Sequence, residues 1–197
     1  WAARVLAVRR VTQDNAGKKT AGIDGLKSLP PKQRLPLAQR LQHHWVNASP
    51  TRRVWIPKPG NSEEQRPLNI PTLEDRARQT LFKLALEPQW EAKFEPNSFG
   101  FRPGRSCQDA IVAMYSKICH QPKWVLDADL AKCFDTIAQQ PLLEKLNASP
   151  WVTRQIRAWL RAGVIDHFQY SETPEGVPQG GSLSPLLANV ALHGMET

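Results

Sequence analysis

Hydrophobic positions recur along much of the chain at intervals of three and four residues, which is the spacing of amphipathic helices. Between these segments lie turn-forming stretches rich in Gly and Pro, including a predicted loop over residues 15–25. Thr72 with Asp75, and Ser106 with Asp109, have the spacing of helix N-caps. Four predicted helices cover residues 1–13, 35–45, 72–86 and 110–118. Two more start at Pro141 and Pro150, and a seventh follows a turn within residues 176–192.

Alternation of apolar and polar residues predicts strands in three other segments. Residues 51–71 have the pattern of strand, turn and strand, and residues 164–170 that of a single strand. Residues 123–130 have the pattern of a half-buried strand. One face would carry Trp124, Leu126, Ala128 and Leu130, and the other Val125, Asp127 and Asp129. Because helices and strands mix without regular β-α-β alternation, we expect an α+β fold.

Positive charge is concentrated in the first part of the chain. Residues 1–83 contain 16 Lys and Arg against 6 Asp and Glu, whereas residues 84–197 contain 10 against 12. The whole chain has a net charge of +8. This asymmetry favours a polyanion such as nucleic acid as the partner of the basic part. The alternative is a charged surface that only serves solubility.

Cysteine usage and the lack of long apolar runs exclude several classes of protein. No apolar run approaches the ~18 residues of a membrane helix, so we expect no membrane association. Cys107, Cys119 and Cys133 are odd in number and lack C-x-x-C spacing, which disfavours a disulfide framework or a zinc site. A reducing compartment fits this usage, and we expect the protein to be cytoplasmic.

Aspartates in the stretch VLDADLAKCFD, residues 125–135, are candidate metal ligands. Asp127 and Asp129 fall on one face of the predicted strand because strand side chains repeat every two residues. Carboxylate oxygen is the type of ligand that Mg²⁺ prefers. The alternative is one solvated and one capping aspartate, and this stretch alone does not decide between the two.

Two further stretches carry candidate binding chemistry. Lys58 and Arg66 flank the turn of the predicted hairpin, where they could clamp a triphosphate. In PQGGSLSP, residues 178–185, two glycines allow a ligand to approach the backbone, and Gln179 could hydrogen-bond a base or a sugar. The alternatives are an exposed charged hairpin and an ordinary turn before a helix.

The order of these stretches is more specific than any one of them. NAGKKTAGIDG, RPLNIPTLEDRARQ, SFGFRPGRSCQDAI, VLDADLAKCFD and GVPQGGSLSPLLANV follow one another along nearly the whole chain. In this order they resemble the successive motifs of reverse transcriptases encoded by group II introns, which are often also maturases. The resemblance implies a right-hand polymerase fold, helix-rich with a small antiparallel sheet. It divides the chain into an N-terminal extension (1–50), fingers (51–122) and a partial palm (123–197).

The resemblance also implies roles for individual residues. Asp129 matches the first metal-binding, catalytic aspartate, with the main-chain carbonyl near Leu130 as a second ligand of the metal. Phe134 matches the residue beside the sugar of the incoming nucleotide. The residues implied to bind the nucleotide are Lys58, Arg66, Phe134 and Gln179, and those implied to bind template RNA are Lys18, Lys19, Arg76, Arg102 and Arg105.

The implied function is that of an RNA-directed DNA polymerase that also binds intron RNA to assist splicing and retrohoming. The implied cofactor is Mg²⁺ in a two-metal site, because two metals stabilise the attacking and leaving oxygens of an in-line phosphoryl transfer. The implied partners are group II intron RNA, an RNA template with a DNA primer, and dNTPs. A homodimer is left open.

The sequence departs from the family pattern near its C-terminal end. The family's next motif is an aromatic-x-Asp-Asp turn that supplies the other metal aspartates, and it does not occur before Thr197. We therefore expect the 197-residue chain alone to be incomplete and inactive as a polymerase. One alternative is a non-catalytic maturase module that binds intron RNA, and another is an unrelated basic RNA-binding α+β domain.

Overall fold

A computed structural model of the chain describes residues 1–42, 47–58 and 60–195. The helices are α1 (Ala2–Arg9), α2 (Pro31–Arg40), α3 (Leu73–Glu91), α4 (Cys107–Ile118), α5 (Cys133–Thr136), α6 (Gln139–Leu146), α7 (Pro150–Leu160) and α8 (Ser184–Leu192). The strands are β1 (Thr51–Lys58), β2 (Asn61–Ile70), β3 (Val164–Asp166) and β4 (Gln169–Ser171). A π-helical turn over Arg10–Asp14 follows α1, and a 3-10 turn covers Ala16–Lys19. None of the helices in these ranges is both long and apolar enough to span a bilayer.

The strands form one four-stranded sheet in the order β2-β1-β3-β4. β1 and β2 form the predicted antiparallel hairpin, with Ile56 opposite Arg66 and an irregularity between Pro57 and Lys58. β1 pairs in parallel with β3, so the sheet is mixed rather than antiparallel as expected. Parallel pairing is possible here because a long helical connection separates the two strands.

Local capping signals predicted the starts of two helices correctly. The Thr72 hydroxyl accepts a hydrogen bond of 3.2 Å from the backbone N–H of Asp75 at the start of α3. Ser106 and Asp109 form a reciprocal capping box at the start of α4. α3 runs to Glu91, beyond the predicted end at residue 86, although it contains Pro88. Tertiary packing explains the extension, since Trp90 in this last turn is buried.

The hydrophobic core lies among helices from both sides of the hairpin in the sequence and includes Leu37 of α2 and Leu186 of α8. α6 packs against α7 and α8, and α3 packs against α8 and the N-terminal α1. The ring of Phe82 on α3 meets the ring of Trp159 on α7 edge to face, with centroids 5.0 Å apart. Ile156 and Val190 are fully buried in the same cluster. These contacts join α3, α7 and α8 in one core.

A buried carboxylate joins three parts of this core. Asp75, 2% exposed, accepts hydrogen bonds from the Thr72 hydroxyl at 2.9 Å, the Trp159 indole N–H at 3.0 Å and the Ser49 backbone N–H at 3.2 Å. The sequence predicted only the cap within α3. Buried carboxylates persist where such donors replace water.

The predicted strand over residues 123–130 does not form. These residues have no regular secondary structure and are exposed throughout, including Trp124 and Leu126. A strand is stabilised by pairing with a neighbour, and within the described part of the chain the sheet contains only β1 to β4. The alternation of residues 123–130 therefore predicted a strand that has no neighbouring strand to pair with in the described part of the chain.

The predicted single strand over residues 164–170 is instead a hairpin of β3 and β4. His167 and Phe168 form its two-residue turn, both with positive φ, at 46° and 67°. Such turns are usually signalled by Asn or Gly, which tolerate the left-handed conformation. Because neither Asn nor Gly occurs at this turn, the alternation over residues 164–170 indicated one uninterrupted strand.

Candidate nucleotide and template site

The β1–β2 hairpin presents the two predicted triphosphate-binding cations. Lys58 and Arg66 are both exposed. The Lys58 ammonium lies 2.5 Å from the Glu64 carboxylate, and this hydrogen bond lowers the pKa of Glu64. Within the described part of the chain, the Arg66 guanidinium forms no ion pair. Arg66 is therefore available to an anionic ligand, whereas Lys58 must first exchange its carboxylate partner.

The Gly-rich turn before α8 lies against the open edge of β2. The backbone N–H of Asn69 donates a hydrogen bond of 2.6 Å to the carbonyl of Gln179. On α3, the Gln79 side-chain oxygen accepts a hydrogen bond of 3.0 Å from the backbone N–H of Ser182. Gln179, half-buried, is thus fixed between the hairpin and the helical core.

The first glycine of this turn is required by the close contact with β2. Gly180 has φ of +110°, and a Cβ at this position would lie 2.7 Å from the carbonyl oxygen of Asn69. At Gly181, a Cβ would lie 2.7 Å from the hydroxyl of Ser184. Any other residue at position 180 would push the turn away from β2, whereas one at position 181 would displace the side-chain ends of Ser184 and Gln79.

The segment that carries Phe134 is bonded to the same turn from its other side. The backbone N–H of Val177 donates a hydrogen bond of 2.7 Å to the carbonyl of Phe134, and that of Gly176 donates one of 2.9 Å to Ile137. The Phe134 ring is half-buried, and its centroid lies 6.2 Å from that of Phe101. Phe134 is therefore bonded to Val177, which lies only two residues before Gln179 in the chain.

An open pocket of about 330 Å³ lies between the N-terminal segment, β2 and the Gly-rich turn. We call it the Leu68 pocket. Its lining residues are Val11, Asn15, Gly17, Thr20, Leu68, Ile70, Arg76, Gly180 and Ser182. The lining is mainly apolar, with backbone of Gly17 and Gly180 at its surface, which suits the flat face of a nucleic acid base.

The predicted metal ligands lie at the surface of the described structure. Asp127 and Asp129 lie in the exposed segment described above, and Leu130 is 49% exposed. In residues 1–42, 47–58 and 60–195, no three His, Cys, Asp or Glu side chains are grouped to hold a metal ion. Oxygen donors of this type nevertheless suit Mg²⁺, which typically uses one or two carboxylates together with substrate phosphates.

Two family profiles match the chain. Residues 56–197 match "Reverse transcriptase (RNA-dependent DNA polymerase)", and residues 1–41 match "N-terminal domain of reverse transcriptase". The chain belongs to the reverse transcriptase family. The resemblance drawn from the ordered motifs is thereby confirmed.

Relatives of this reverse transcriptase chain include proteins encoded by group II introns. It is 36% identical to protein YkfC of Escherichia coli over 93% of the chain and 51% of the relative. It is 35% identical to the group II intron-encoded protein LtrA of Lactococcus lactis over 92% of the chain and 31% of the relative. The chain thus spans about half the length of the first relative and about a third of the second.

Solved structures support the polymerase fold. The structure is similar to a chain of a partial Cas6-RT-Cas1–Cas2 complex, with a TM-score of 0.57 and 25% sequence identity. The match covers 97% of the present chain and 32% of the chain in that complex. The helix-rich α+β expectation is confirmed, with the mixed sheet as its correction.

Two arginines assigned to the template donate hydrogen bonds within the reverse transcriptase chain. Arg76, 6% exposed, donates to the carbonyls of Gly17 at 2.9 Å and Leu26 at 3.4 Å, and burial lowers its pKa. Arg102, also 6% exposed, donates hydrogen bonds from its Nε and a terminal nitrogen to the Glu91 carboxylate. Both side chains support neighbouring loops, and Arg76 also lines the Leu68 pocket, so their contact with RNA stays a prediction.

The remaining predicted RNA contacts lie nearer the surface. Lys19 is exposed, and Arg105 is half-buried, with one terminal nitrogen donating to the carbonyls of Pro96 and Ser98. The side chain of Lys18 lies outside the described part of the structure. Lys19 and Arg105 keep the exposure that a phosphate contact requires.

Sequence reasoning missed the supporting role of Asp24. One carboxylate oxygen accepts a hydrogen bond of 2.7 Å from the backbone N–H of Leu73, at the first turn of α3. Beside it, Gly22 is packed so closely that a Cβ would lie 2.5 Å from the carbonyl of Pro71. The Asp-Gly pair in the sequence signalled a turn, but its partner is 49 residues away and left no local signal.

Proposed function

We propose that this chain forms the nucleotide- and template-binding part of an RNA-directed DNA polymerase encoded by a group II intron. The observation that carries the proposal is the joining of three distant motifs through backbone hydrogen bonds. Phe134 is bonded to Val177, and Gln179 is bonded to Asn69. Arg66 lies three residues earlier on the same strand as Asn69. A sugar, a base and a triphosphate could thus be contacted by one connected unit.

The triphosphate is proposed to bind Arg66 and Lys58. A guanidinium forms paired hydrogen bonds with phosphate oxygens, and an ammonium acts as a compact charge. The proposal includes displacement of Lys58 from Glu64, since the two are paired in this structure. The Phe134 ring would lie against the sugar, and its bulk would disfavour a nucleotide with a 2′-hydroxyl. Gln179 would hydrogen-bond the nucleotide or the template.

Mg²⁺ is proposed to bind the carboxylate of Asp129 and the carbonyl of Leu130. Both are hard oxygen donors, and Asp129 forms no ion pair within the described residues. When bound, the ion would neutralise charge on the reacting phosphates. The chain's own residues would contribute positioning, which accounts for much of the catalysis of phosphoryl transfer.

RNA is proposed as both template and intron partner. The template would run along the Leu68 pocket, with Lys19, Lys18 and Arg105 as its phosphate contacts. Binding of intron RNA to assist splicing and retrohoming is supported by the relatives. Besides LtrA, the chain is 35% identical to maturase-like protein 1 of Euglena gracilis over 98% of the chain and 42% of the relative.

The test is Asp129→Asn in the full-length protein that contains this chain, with Asp127→Asn as the matched control. We expect Asp129→Asn to abolish cDNA synthesis while RNA binding and splicing support are retained, and Asp127→Asn to have a smaller effect. Retention of cDNA synthesis in Asp129→Asn would contradict the proposed metal ligand. Inactivity of the 197-residue chain alone stays a prediction, and primer extension by the purified chain would contradict it.

A further inference from the structure

Three arginines form a stripe along the exposed face of α7 and the C-cap residue that follows it. Arg154, Arg157 and Arg161 follow one another at intervals of three and four residues, so they share one side of the helix. Arg154 and Arg161 are exposed, and Arg157 is half-buried. The opposite side of α7 is buried in the core. The stripe is about 10 Å long, given the rise of a helix over seven residues.

None of the three arginines forms an ion pair with a described residue, although Glu172 lies in the same pocket as Arg161. The stripe's only polar side-chain contact within the described part of the chain is a hydrogen bond of 3.4 Å from Arg157 to the amide oxygen of Gln140. Arginines elsewhere, such as Arg102, are neutralised by a glutamate. Like charges at these spacings repel one another and weaken a helix. Arg157 and Arg161 lie at the C-terminal end of α7, where the helix dipole favours cations, but Arg154 does not share this advantage. The stripe as a whole is complementary to an extended anion.

At its C-terminal end the stripe borders an open pocket of about 350 Å³. Arg161, Tyr170, Glu172, Thr173 and Pro174 line it. One side of the Tyr170 ring packs against Gly163, where a Cβ would clash with the ring. Tyr170 is nevertheless 55% exposed. The exposed ring offers a stacking surface. Arg161 supplies donors and Glu172 acceptors for the polar edge of a base.

The hairpin beside this pocket ends in an exposed phenyl ring. Phe168 is fully exposed, at 102%, although its φ is positive. A left-handed conformation costs a non-glycine residue about 1 kcal/mol or more, and a ring in water contributes nothing to the core. Stability therefore does not explain Phe168, whereas stacking on an unpaired base would.

We propose that the α7 arginines, the Tyr170 pocket and Phe168 form one surface, the α7 surface, that binds a single-stranded segment of RNA. The arginines would bind successive phosphates, Tyr170 would stack with one base, and Phe168 with another. The α7 surface shares no residue with the candidate nucleotide site. The inference deepens the RNA-binding part of the proposed function and rests on it. An acidic protein segment would satisfy the arginines but would leave the two exposed rings unexplained.

The first test measures RNA binding by the 197-residue chain through fluorescence anisotropy at a series of salt concentrations. The probe is a labelled single-stranded RNA of about 16 nucleotides, the upper range for one binding module. Replacing Arg154, Arg157 and Arg161 together by Gln should reduce the slope of log affinity against log salt by about 2, because about 0.7 is expected per phosphate contact. The matched control replaces Lys93, Lys117 and Lys123 by Gln. It removes the same charge from other surfaces and should leave the slope unchanged.

The second test is Phe168→Asn, which suits the left-handed turn better than Phe. The thermal midpoint should be retained or raised, while RNA affinity should fall about 5-fold to 100-fold at an unchanged salt slope. Equal slopes for wild type and the arginine variant, or unchanged affinity in Phe168→Asn, would overturn the α7 surface.

Two other outcomes separate the inference from the proposed function. If the wild-type chain does not bind RNA, the RNA-binding part of the proposed function fails, and the α7 surface fails with it. If polyglutamate displaces RNA from the wild type but not from the arginine variant, and Phe168→Asn has no effect, the surface binds acidic protein and the inference is wrong.

Discussion

The backbone N–H of Asn69 donates a hydrogen bond of 2.6 Å to the carbonyl of Gln179, which joins the β2 edge of the sheet to the turn before α8. The two residues are far apart in the sequence. This bond connects the strand that carries Arg66 to the turn that carries Gln179. The contact is possible because Gly180, next to Gln179, has no side chain to separate them.

Gly180→Ala should disrupt this contact. Its Cβ would lie 2.7 Å from the carbonyl oxygen of Asn69, at a φ of +110°. We expect a loss of about 3 kcal/mol in the free energy of unfolding of the chain, and a raised KM for dNTPs in the complete protein. Gly60→Ala is the matched control, because its φ of +84° is also left-handed but nothing lies within 4 Å of the added Cβ. Equal losses in denaturant melts of the two variants would show that the contact with Asn69 is unimportant.

Arg66→Ala should weaken nucleotide binding in the complete protein. A charge-assisted contact with phosphate contributes about 1.5–3 kcal/mol, so the apparent KM for dNTPs should rise about tenfold or more in steady-state primer extension. Arg66→Lys should restore part of the affinity, because the charge remains while the fork geometry is lost. An effect on template affinity alone would assign Arg66 to the RNA path instead.

Asp75→Ala should destabilise the chain without a direct effect on nucleotide contacts. The substitution leaves the buried indole N–H of Trp159 and the N–H of Ser49 without their acceptor. We expect a loss of about 3 kcal/mol or more in the free energy of unfolding. Glu74→Ala is the control, since Glu74 precedes Asp75 on α3 but is only half-buried. Similar denaturation midpoints for the two variants would argue against the buried network.

Glu95 should make stability depend on acid pH. Its pKa is lowered from 4.5 to about 2, mainly by the hydrogen bond with the His193 side chain and then by the backbone N–H of Gly194. Because the folded-state pKa is the lower one, the stabilisation is present above pH 4.5 and is lost as pH falls towards 2. Denaturant melts across this range should show the loss in the wild type and a reduced loss in Glu95→Gln. A Glu95 carboxyl that titrates near 4.5 by NMR would contradict the prediction.

Elements whose signals are local were predicted well. The β1–β2 hairpin follows from alternation around a turn, and the starts of α3 and α4 follow from the caps at Thr72 and Ser106. The interactions that form these elements lie within a few residues of one another, so the sequence displays them directly.

Predictions failed where the deciding partner lies far away in the sequence. Residues 123–130 alternate like a strand but have no strand beside them in the described part of the chain. Likewise, nothing in the sequence indicated that the Arg76 guanidinium donates to the carbonyls of Gly17 and Leu26, which are 59 and 50 residues away. Neither outcome leaves a signal near the residue itself.

The sequence by itself determined the family, the order of the motifs and the residue types available for binding phosphate, base and metal. Only the tertiary structure decided which of these side chains are exposed to a ligand. It buries Arg76 and Arg102, leaves Arg66 exposed with no ion pair among the described residues, and exposes Arg154 and Arg161, whose stripe the motifs did not indicate. The physical reason is that burial and pairing depend on segments that meet only after folding, whereas the chemistry of a side chain is a property of the residue alone.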